Sequence, residues 1–171
     1  LAHRVFGDPW PDVSDEALLA RAEEWLDLDA LAAGRGSDAT SGLRGLLGWR
    51  ESARLDEVVP ETITVPSGSR IRVDYPEPGS DTSPVLAVKL QECFGWTDGP
   101  TVCDGRVRVV LHLLSPARRP LAVTDDLASF WASVYPAVRV ENRGRYSKHP
   151  WPEDPMTATP TKRTNRALRG N

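Results

Sequence analysis

Arginines at the alternate positions of two predicted strands suggest anion binding. Residues 70–75 and 106–114 each alternate between polar and apolar side chains, so burial of the aliphatic side chains sends the others outward. The arginines at these polar positions are Arg70, Arg72, Arg106 and Arg108. If both strands pair in one sheet, its exposed face carries a cluster of at least four arginines, which could hold a phosphate backbone. The alternative is a solvated sheet face balanced by acids such as Asp74.

A second basic segment, residues 139–151, combines cations with aromatic rings. Its candidate residues are Arg139, Arg143, Arg145, Lys148, Tyr146 and Trp151, and the turn after the second strand adds Arg118 and Arg119. Guanidinium groups beside aromatic rings are typical of surfaces that bind single strands, where bases stack on the rings and cations hold phosphates. The alternative is that Tyr146 and Trp151 anchor a C-terminal strap to the core.

Motifs for catalysis or metal binding are absent from this sequence. It has no Gly-rich phosphate loop that ends in Lys-Ser or Lys-Thr, and no Gly-x-Ser-x-Gly element. Residues 15–18 (Asp-Glu-Ala-Leu) begin a predicted helix rather than follow a buried strand, so we reject them as an acidic motor motif. The cysteines, Cys93 and Cys103, and the three histidines lack the spacing of zinc ligands. We predict no catalytic residue, no metal site and no cofactor in this chain.

Charge is distributed unevenly along the 171 residues. Residues 1–100 carry 9 Lys/Arg and 18 Asp/Glu, whereas residues 101–171 carry 12 and 6, within a net charge of −3. This asymmetry favours an anionic partner for the basic part, although the two parts could also neutralise each other. No stretch approaches the ~20 apolar residues of a membrane span, and we expect a cytoplasmic protein. Because the sequence starts with Leu1 rather than Met, we expect a fragment of a longer chain.

Residues 1–60 are predicted to form a helical N-terminal segment. Ser14 is a suitable N-cap for an amphipathic helix over 15–28. A short second helix is expected to run through Leu47, and a third from Ser52 to Val59, where Pro60 ends it.

Residues 61–147 are predicted to form an α+β core, a small mostly antiparallel sheet packed with helices. Its predicted strands are a hairpin over 62–75, a strong strand over 106–114 and a short strand over 121–123. A helix is predicted after Ser83-Pro84, on the stripe Leu86, Leu90 and Phe94, with Gly95 as its cap.

The end of the chain is predicted to be helical and then irregular. One helix is expected over 125–134 and another over 137–145, with a strand over 137–140 as the alternative to the latter. Residues 148–171 form a Pro-rich basic tail, of which the last ~12 residues are expected to be disordered.

Several ordered blocks of this sequence are found together in one known family. The blocks are residues 65–70 (VPSGSR), 90–95 (LQECFG), 109–121 (VVLHLLSPARRPL), 124–131 (TDDLASFW), 143–146 (RGRY) and 148–155 (KHPWPEDP). Taken together, they resemble the C-terminal region of the bacterial HrpB helicases, which are DEAH-type (DExH) ATP-dependent helicases. The resemblance extends from about Trp10 to Pro155.

This resemblance implies a longer parent protein with two RecA-like motor lobes upstream of this region. Such a motor would bind ATP and Mg²⁺, hydrolyse the nucleotide and move along nucleic acid, with RNA the first expectation. No position of this chain matches the functional residues of the motor. The expected role of the chain is therefore a non-catalytic accessory domain that contacts nucleic acid beside the upstream helicase domains. The alternative is a module that docks a protein partner or packs within the helicase.

Overall fold

The computed structural model describes residues 1–36 and 38–169 and divides the chain into two compact units. The first unit consists of Leu1–Pro60 and the loop Pro76–Thr82, and the second consists of Glu61–Tyr75 and the chain from Ser83 onward. The loop is tied to the first unit by Arg4, whose guanidinium donates hydrogen bonds to the carbonyl oxygens of Ser80 and Thr82.

The first unit is built from short helices. Their bounds are Ala2–Phe6 (α1), Asp15–Ala20 (α2), Ala22–Trp25 (α3), Leu28–Ala32 (α4), Ala39–Gly45 (α5) and Trp49–Val58 (α6). The last of these begins three residues before the predicted Ser52.

The predicted single helix over 15–28 was wrong, because the chain bends twice within it. Ser14 does cap the start, since its side chain accepts a hydrogen bond from the amide of Ala17. The helix is interrupted at Arg21 and ends at Trp25. Asp27 then caps a new helix by accepting a hydrogen bond from the amide of Ala30 at 2.9 Å. An Asp side chain that bonds nearby backbone in this way competes with continuation of a helix.

The second unit contains three small sheets, and its α+β class is as predicted. The strands are Thr62–Thr64 (β1), Arg70–Arg72 (β2), Val85–Lys89 (β3), Thr101–Val102 (β4), Val107–Arg108 (β5), Val110–Leu114 (β6) and Pro120–Thr124 (β7). The predicted hairpin is confirmed, since β1 and β2 pair antiparallel with Ile63 opposite Ile71. The predicted strand over 106–114 divides at Val109, because β5 pairs with β4 whereas β6 lies between β3 and β7.

The predicted helix over 84–94 was wrong. Residues Val85–Lys89 form strand β3, parallel to β6, and Leu90–Cys93 form a single 3-10 turn. Leu86 and Val88 are 0 % and 1 % exposed, while Ala87 between them is exposed. Buried apolar residues thus alternate with exposed residues, as in a strand. Leu86, Leu90 and Phe94 are four residues apart, and this spacing fits both a strand and a helix. Backbone pairing with β6 decides between the two periods, so tertiary context overrides the local pattern.

Two helices joined by a π-helical turn follow β7. Leu127–Ser129 (α7) passes through a π-helical turn, Phe130–Val134, into Tyr135–Arg145 (α8), which excludes the strand alternative over 137–140. The rings of Phe94, Trp131 and Tyr135 contact one another in the core, with centroids 5.3 to 6.4 Å apart. Edge-to-face contacts of this kind add to the stabilisation that burial provides.

The C-terminal tail is irregular as far as residue 164, as its prolines predicted. It is nevertheless held to the core, since the amide of Gly95 donates to Pro155 O and the amide of Thr161 donates to Gln91 O. Disorder over the last ~12 residues was wrong for Asn165–Arg169, which form helix α9. Gly170 and Asn171 lie outside the described residues.

Candidate nucleic-acid interface

The hairpin presents its two arginines to solvent. Arg70 and Arg72 are exposed, whereas Val73 is buried and Ile71 is half-buried, as the alternation predicted. The guanidinium of Arg70 donates to the hydroxyl of Thr62 on the opposite strand at 3.0 and 3.2 Å. Among the described residues, Arg72 has no hydrogen-bond or ion-pair partner.

The predicted single face of four arginines does not form. Arg70 and Arg72 lie on β2, whereas Arg106 precedes β5 and Arg108 lies on it, so the two pairs belong to different sheets. The outward row across the three-stranded sheet carries Ala87, His112 and Val123 instead. The chain changes partner at Val109: its amide still donates to Pro100 O beside β4, whereas the strand from Val110 onward pairs with β3 and β7.

The other two candidate arginines of the sheet region lie in a tight turn. Arg118 and Arg119 connect β6 to β7 and are exposed. Arg118 has a φ of 60°, and its amide donates to Ser115 O. This turn places both side chains at the end of the sheet rather than on its face.

Arg139 and Trp151 make the contacts that the anchoring alternative required. The Nε of Arg139 donates to Trp151 O at 2.9 Å, and its Nη2 forms an ion pair with Glu153 at 3.1 Å. The indole nitrogen of Trp151 donates to Tyr146 O at 3.2 Å, and the guanidinium of Arg145 lies 5.7 Å from the centre of the Tyr146 ring. Trp151 and Tyr146 are half-buried, and Arg139 joins α8 to the segment that follows it.

The C-terminal end of α8 gathers the remaining predicted cations. Arg143 and Arg145 lie in its last turn, Lys148 follows at once, and all three are exposed. Carbonyl groups without helical partners give a helix C-terminus partial negative charge, which stabilises cations there.

Helix α9 brings a second group of cations to the same place. The amide of Asn165 donates to Lys148 O at 2.7 Å, and its side-chain nitrogen donates to Ser147 O at 3.3 Å. These bonds hold α9 beside the end of α8. We call the resulting set of exposed cations the terminal basic surface: Arg143, Arg145, Lys148, Lys162, Arg163 and Arg166.

Sequence reasoning missed the last three of these cations because the tail was predicted to be disordered. A signal was present: Thr164 before Asn165–Arg169 is a suitable start for a short helix. The amide of Leu168 does donate to Thr164 O at 3.1 Å. What sequence could not supply is the contact between Asn165 and the turn after α8.

The two units differ in the sign of their net charge. The first unit has 6 Lys/Arg and 14 Asp/Glu in its sequence, whereas the second has 15 and 10. Over residues 139–169 there are eight Lys/Arg and three Asp/Glu, and one of those acids, Glu153, is paired with Arg139. The second unit therefore carries the positive charge, most densely near its C-terminal end.

The pKa of His149, which follows Lys148 in the chain, is altered by its surroundings. Burial, together with the nearby charge of Lys89, lowers the pKa of His149. The imidazole is half-buried, and its backbone amide donates to Tyr146 O. A neutral His149 is therefore favoured beside the terminal basic surface.

Residues 1–36 and 38–169 contain neither a metal-binding cluster nor a helix that could span a membrane. No group of three or more His, Cys, Asp or Glu side chains in this part of the chain is arranged to hold a metal ion. None of the helices there combines the length and apolar character that a bilayer span requires. Cys93 and Cys103 are buried and are not joined by a disulfide bond.

Comparison with known proteins gives a consistent family. Residues 22–155 match the model of a family described as ATP-dependent helicase C-terminal. The chain is 48 % identical over 162 residues to the ATP-dependent RNA helicase HrpB of Escherichia coli strain K12, a match that covers 92 % of this chain and 20 % of the relative. The chain thus spans about a fifth of the length of that relative.

Solved structures agree with this match. The crystal structure of the E. coli DExH-box NTPase HrpB has a TM-score of 0.80 at 48 % identity, with 91 % of this chain and 19 % of that chain covered. A crystal structure of the E. coli DEAH/RHA helicase HrpB has a TM-score of 0.64 at 46 % identity, with 83 % and 18 % covered.

Proposed function

The chain belongs to the ATP-dependent helicase C-terminal family, and from that premise we propose that it is a non-catalytic module that contacts nucleic acid. The contact is made by the terminal basic surface and is directed at the phosphate backbone. The observation that carries this proposal is the pair of hydrogen bonds from Asn165 to the turn at Ser147 and Lys148, which assembles cations from two helices.

The cations of the terminal basic surface favour contact with phosphates over recognition of specific bases. Lysine and arginine side chains that neutralise phosphates release counterions, and this term is independent of base sequence. Among the described residues, exposed rings at this surface are few, since Trp151 and Tyr146 are half-buried and the indole nitrogen of Trp151 donates to Tyr146 O. We therefore expect weak, sequence-tolerant binding, with a Kd on the order of 10⁻⁴ to 10⁻⁶ M at physiological salt.

RNA is the proposed nucleic acid because the E. coli relative is named an ATP-dependent RNA helicase. ATP and Mg²⁺ are proposed to bind in the motor of a longer protein, outside this chain, since this sequence has no phosphate-binding loop. The module's own part would be to hold strand phosphates beside that motor.

The proposal is tested by fluorescence anisotropy with a labelled single-stranded RNA of about 20 nucleotides, at low salt and without ATP. Saturable binding that weakens as salt is raised supports the proposal. Absence of measurable binding at low salt overturns it for this chain. A labelled DNA of the same sequence shows whether the contact distinguishes the two backbones.

A docking role is the second candidate, and the first unit favours it. Leu19 and Trp49 are 77 % and 78 % exposed, and Leu28 and Leu31 are also exposed, in a unit with a large excess of acids. Exposed apolar side chains among acids suit a basic protein surface. ATPase stimulation by RNA, measured in the longer protein with and without this region, separates the two: a nucleic-acid module changes the RNA concentration at half-stimulation, whereas a docking module changes the RNA-free rate.

A further inference from the structure

A groove in the second unit lies apart from the terminal basic surface. It consists of two adjoining cavities of about 370 and 430 Å³, which share Thr97 and Ala128 in their walls. One end lies next to β4 and β5 at Thr101 and Arg108. The other end lies against Met156 in the irregular C-terminal tail, residues 148–164, which we call the C-terminal strap.

The half of this groove that contains Trp131 and Met156 is largely apolar, whereas the half next to β4 and β5 is more polar. Helix α7 and the π-helical turn after it contribute Leu127, Ala128, Trp131 and Ala132, and the strap contributes Pro155 and Met156. The indole nitrogen of Trp131 already donates to Trp96 O at 2.8 Å, so on that side the groove presents carbon surface. π-Helical turns of this kind are frequent at functional sites.

The rim of the groove is acidic, although the unit as a whole is basic. Five of the unit's ten carboxylates line it: Asp98, Asp125, Asp126, Glu153 and Asp154. Among the described residues that line it, Arg108 is the one cation, and its guanidinium donates to Asp125 O at 3.4 Å.

Three of these acids also have structural contacts. Asp126 caps α7 through the amide of Ser129, Asp154 accepts from the amide of Met156, and Glu153 pairs with Arg139. Asp98 and Asp125 have no side-chain partner among the described residues, and both are exposed. The rim therefore keeps an excess of negative charge after the pair between Glu153 and Arg139 is set aside.

We propose that this groove docks an extended peptide segment that carries arginine or lysine side chains around an apolar one. The apolar side chain packs between Ala128 and Met156, while the cations face Asp98 and Asp125. Charge complementarity identifies the occupant, because the rim repels a phosphate backbone and attracts a cationic chain. This inference is independent of the proposed RNA contact, since it uses a different surface of the same unit.

The test is an NMR titration of the ¹⁵N-labelled 171-residue chain with an eight-residue Gly/Ser peptide that contains two arginines flanking one leucine. We expect saturable shifts of amides in residues 97–99, 125–132 and 153–156. Two control peptides replace the arginines with glutamine or the leucine with glycine, and each should bind about fivefold more weakly or worse.

Variants locate the site. Asp98→Asn with Asp125→Asn should weaken peptide binding about fivefold, because each exposed ion pair contributes little and two are removed. Ala128→Phe should abolish binding by filling the shared wall. The matched control, Glu61→Gln with Glu141→Gln, removes two exposed carboxylates outside the groove and should leave binding within about a factor of two.

Four results would overturn the inference: no saturable shift at millimolar peptide, shifts outside the groove, equal binding of the leucine-free peptide, or equal loss in the control variant. A separate titration of the ¹⁵N-labelled chain uses the single-stranded RNA in place of the peptide. RNA that shifts the groove amides would show nucleic acid there instead, whereas RNA shifts confined to α8 and α9 leave the peptide site intact.

Discussion

The hydroxyl of Ser67 donates a 2.7 Å hydrogen bond to Oε2 of Glu92, a carboxylate 25 residues away that is 5 % exposed. Ser67 lies in the turn between β1 and β2, and Glu92 lies in the 3-10 turn after β3. This bond therefore joins the hairpin to the three-stranded sheet, and it positions the strand that carries Arg70 and Arg72.

Loss of this hydroxyl should destabilise the chain. Ser67→Ala leaves a buried carboxylate without that partner, so we expect the free energy of unfolding to fall by about 1–3 kcal/mol. Urea unfolding followed by circular dichroism measures it. Ser83→Ala is the matched control, because it removes an exposed hydroxyl of the same unit and keeps the bond to Glu92; an equal loss in both variants would contradict the role given to Ser67.

A buried hydroxyl, that of Tyr135, also holds the C-terminal strap to α8. Tyr135 is 1 % exposed, its hydroxyl donates to Pro152 O at 2.8 Å, and burial raises its pKa to about 12. Tyr135→Phe should lower the free energy of unfolding by about 0.5–1.5 kcal/mol and speed proteolysis of the strap. Unchanged stability and unchanged cleavage would show that the strap is held by other contacts.

The two thiols should resist modification while the chain is folded. Cys93 and Cys103 are both 0 % exposed, and burial raises the pKa of the Cys93 thiol, so its reactive thiolate is scarce at neutral pH. We expect Ellman's reagent to label neither cysteine at pH 7.5 in buffer, and to label both in 6 M guanidinium. Rapid labelling of the native chain would contradict this burial.

Stability should decrease as the solution is acidified through the His149 range. The pKa of His149 is lower in the folded chain than its ordinary value of 6.5, so the unfolded chain binds the proton first. This contribution is complete above pH 6.5 and is lost as the pH falls through the folded-state pKa. His149→Gln should reduce the difference in unfolding free energy between pH 7.5 and 5.5. His112→Gln, which removes an exposed imidazole, is the control.

Sequence predicted correctly those elements in which the spacing of apolar residues fits only one kind of secondary structure. Ile63, Ile71 and Val73 alternate with polar residues, and the hairpin formed as expected. Leu86, Leu90 and Phe94 fit two periods at once, and only the parallel pairing of β3 with β6 decides between them. Such pairing between distant segments is not encoded in a local window, which is why the helix prediction failed there.

The candidate site was predictable in composition but not in arrangement. The cations Arg143, Arg145 and Lys148 were identified from sequence, and all three are exposed. Their neighbours from α9 were missed, because one backbone bond from Asn165 to Lys148 places them. The arginines of β2 and β5 were expected on one face, but β2 pairs with β1 and β5 pairs with β4, so they lie in different sheets.

Contact between the terminal basic surface and phosphates is tested most directly by anisotropy measurements with single-stranded RNA at a series of salt concentrations. The variant Arg145→Gln with Arg166→Gln removes one cation from each helix of that surface. Its controls are Arg35→Gln with Arg44→Gln, from the acidic first unit, and Arg106→Gln with Arg108→Gln, from the strand region.

If that surface contacts phosphates, the slope of log K against log salt becomes shallower by roughly 0.7 for each lost contact in the Arg145/Arg166 variant. We expect little change in the Arg35/Arg44 control and a smaller change in the Arg106/Arg108 variant. An unchanged slope in the Arg145/Arg166 variant, beside a reduced slope in the Arg106/Arg108 variant, would contradict phosphate contact at the terminal basic surface.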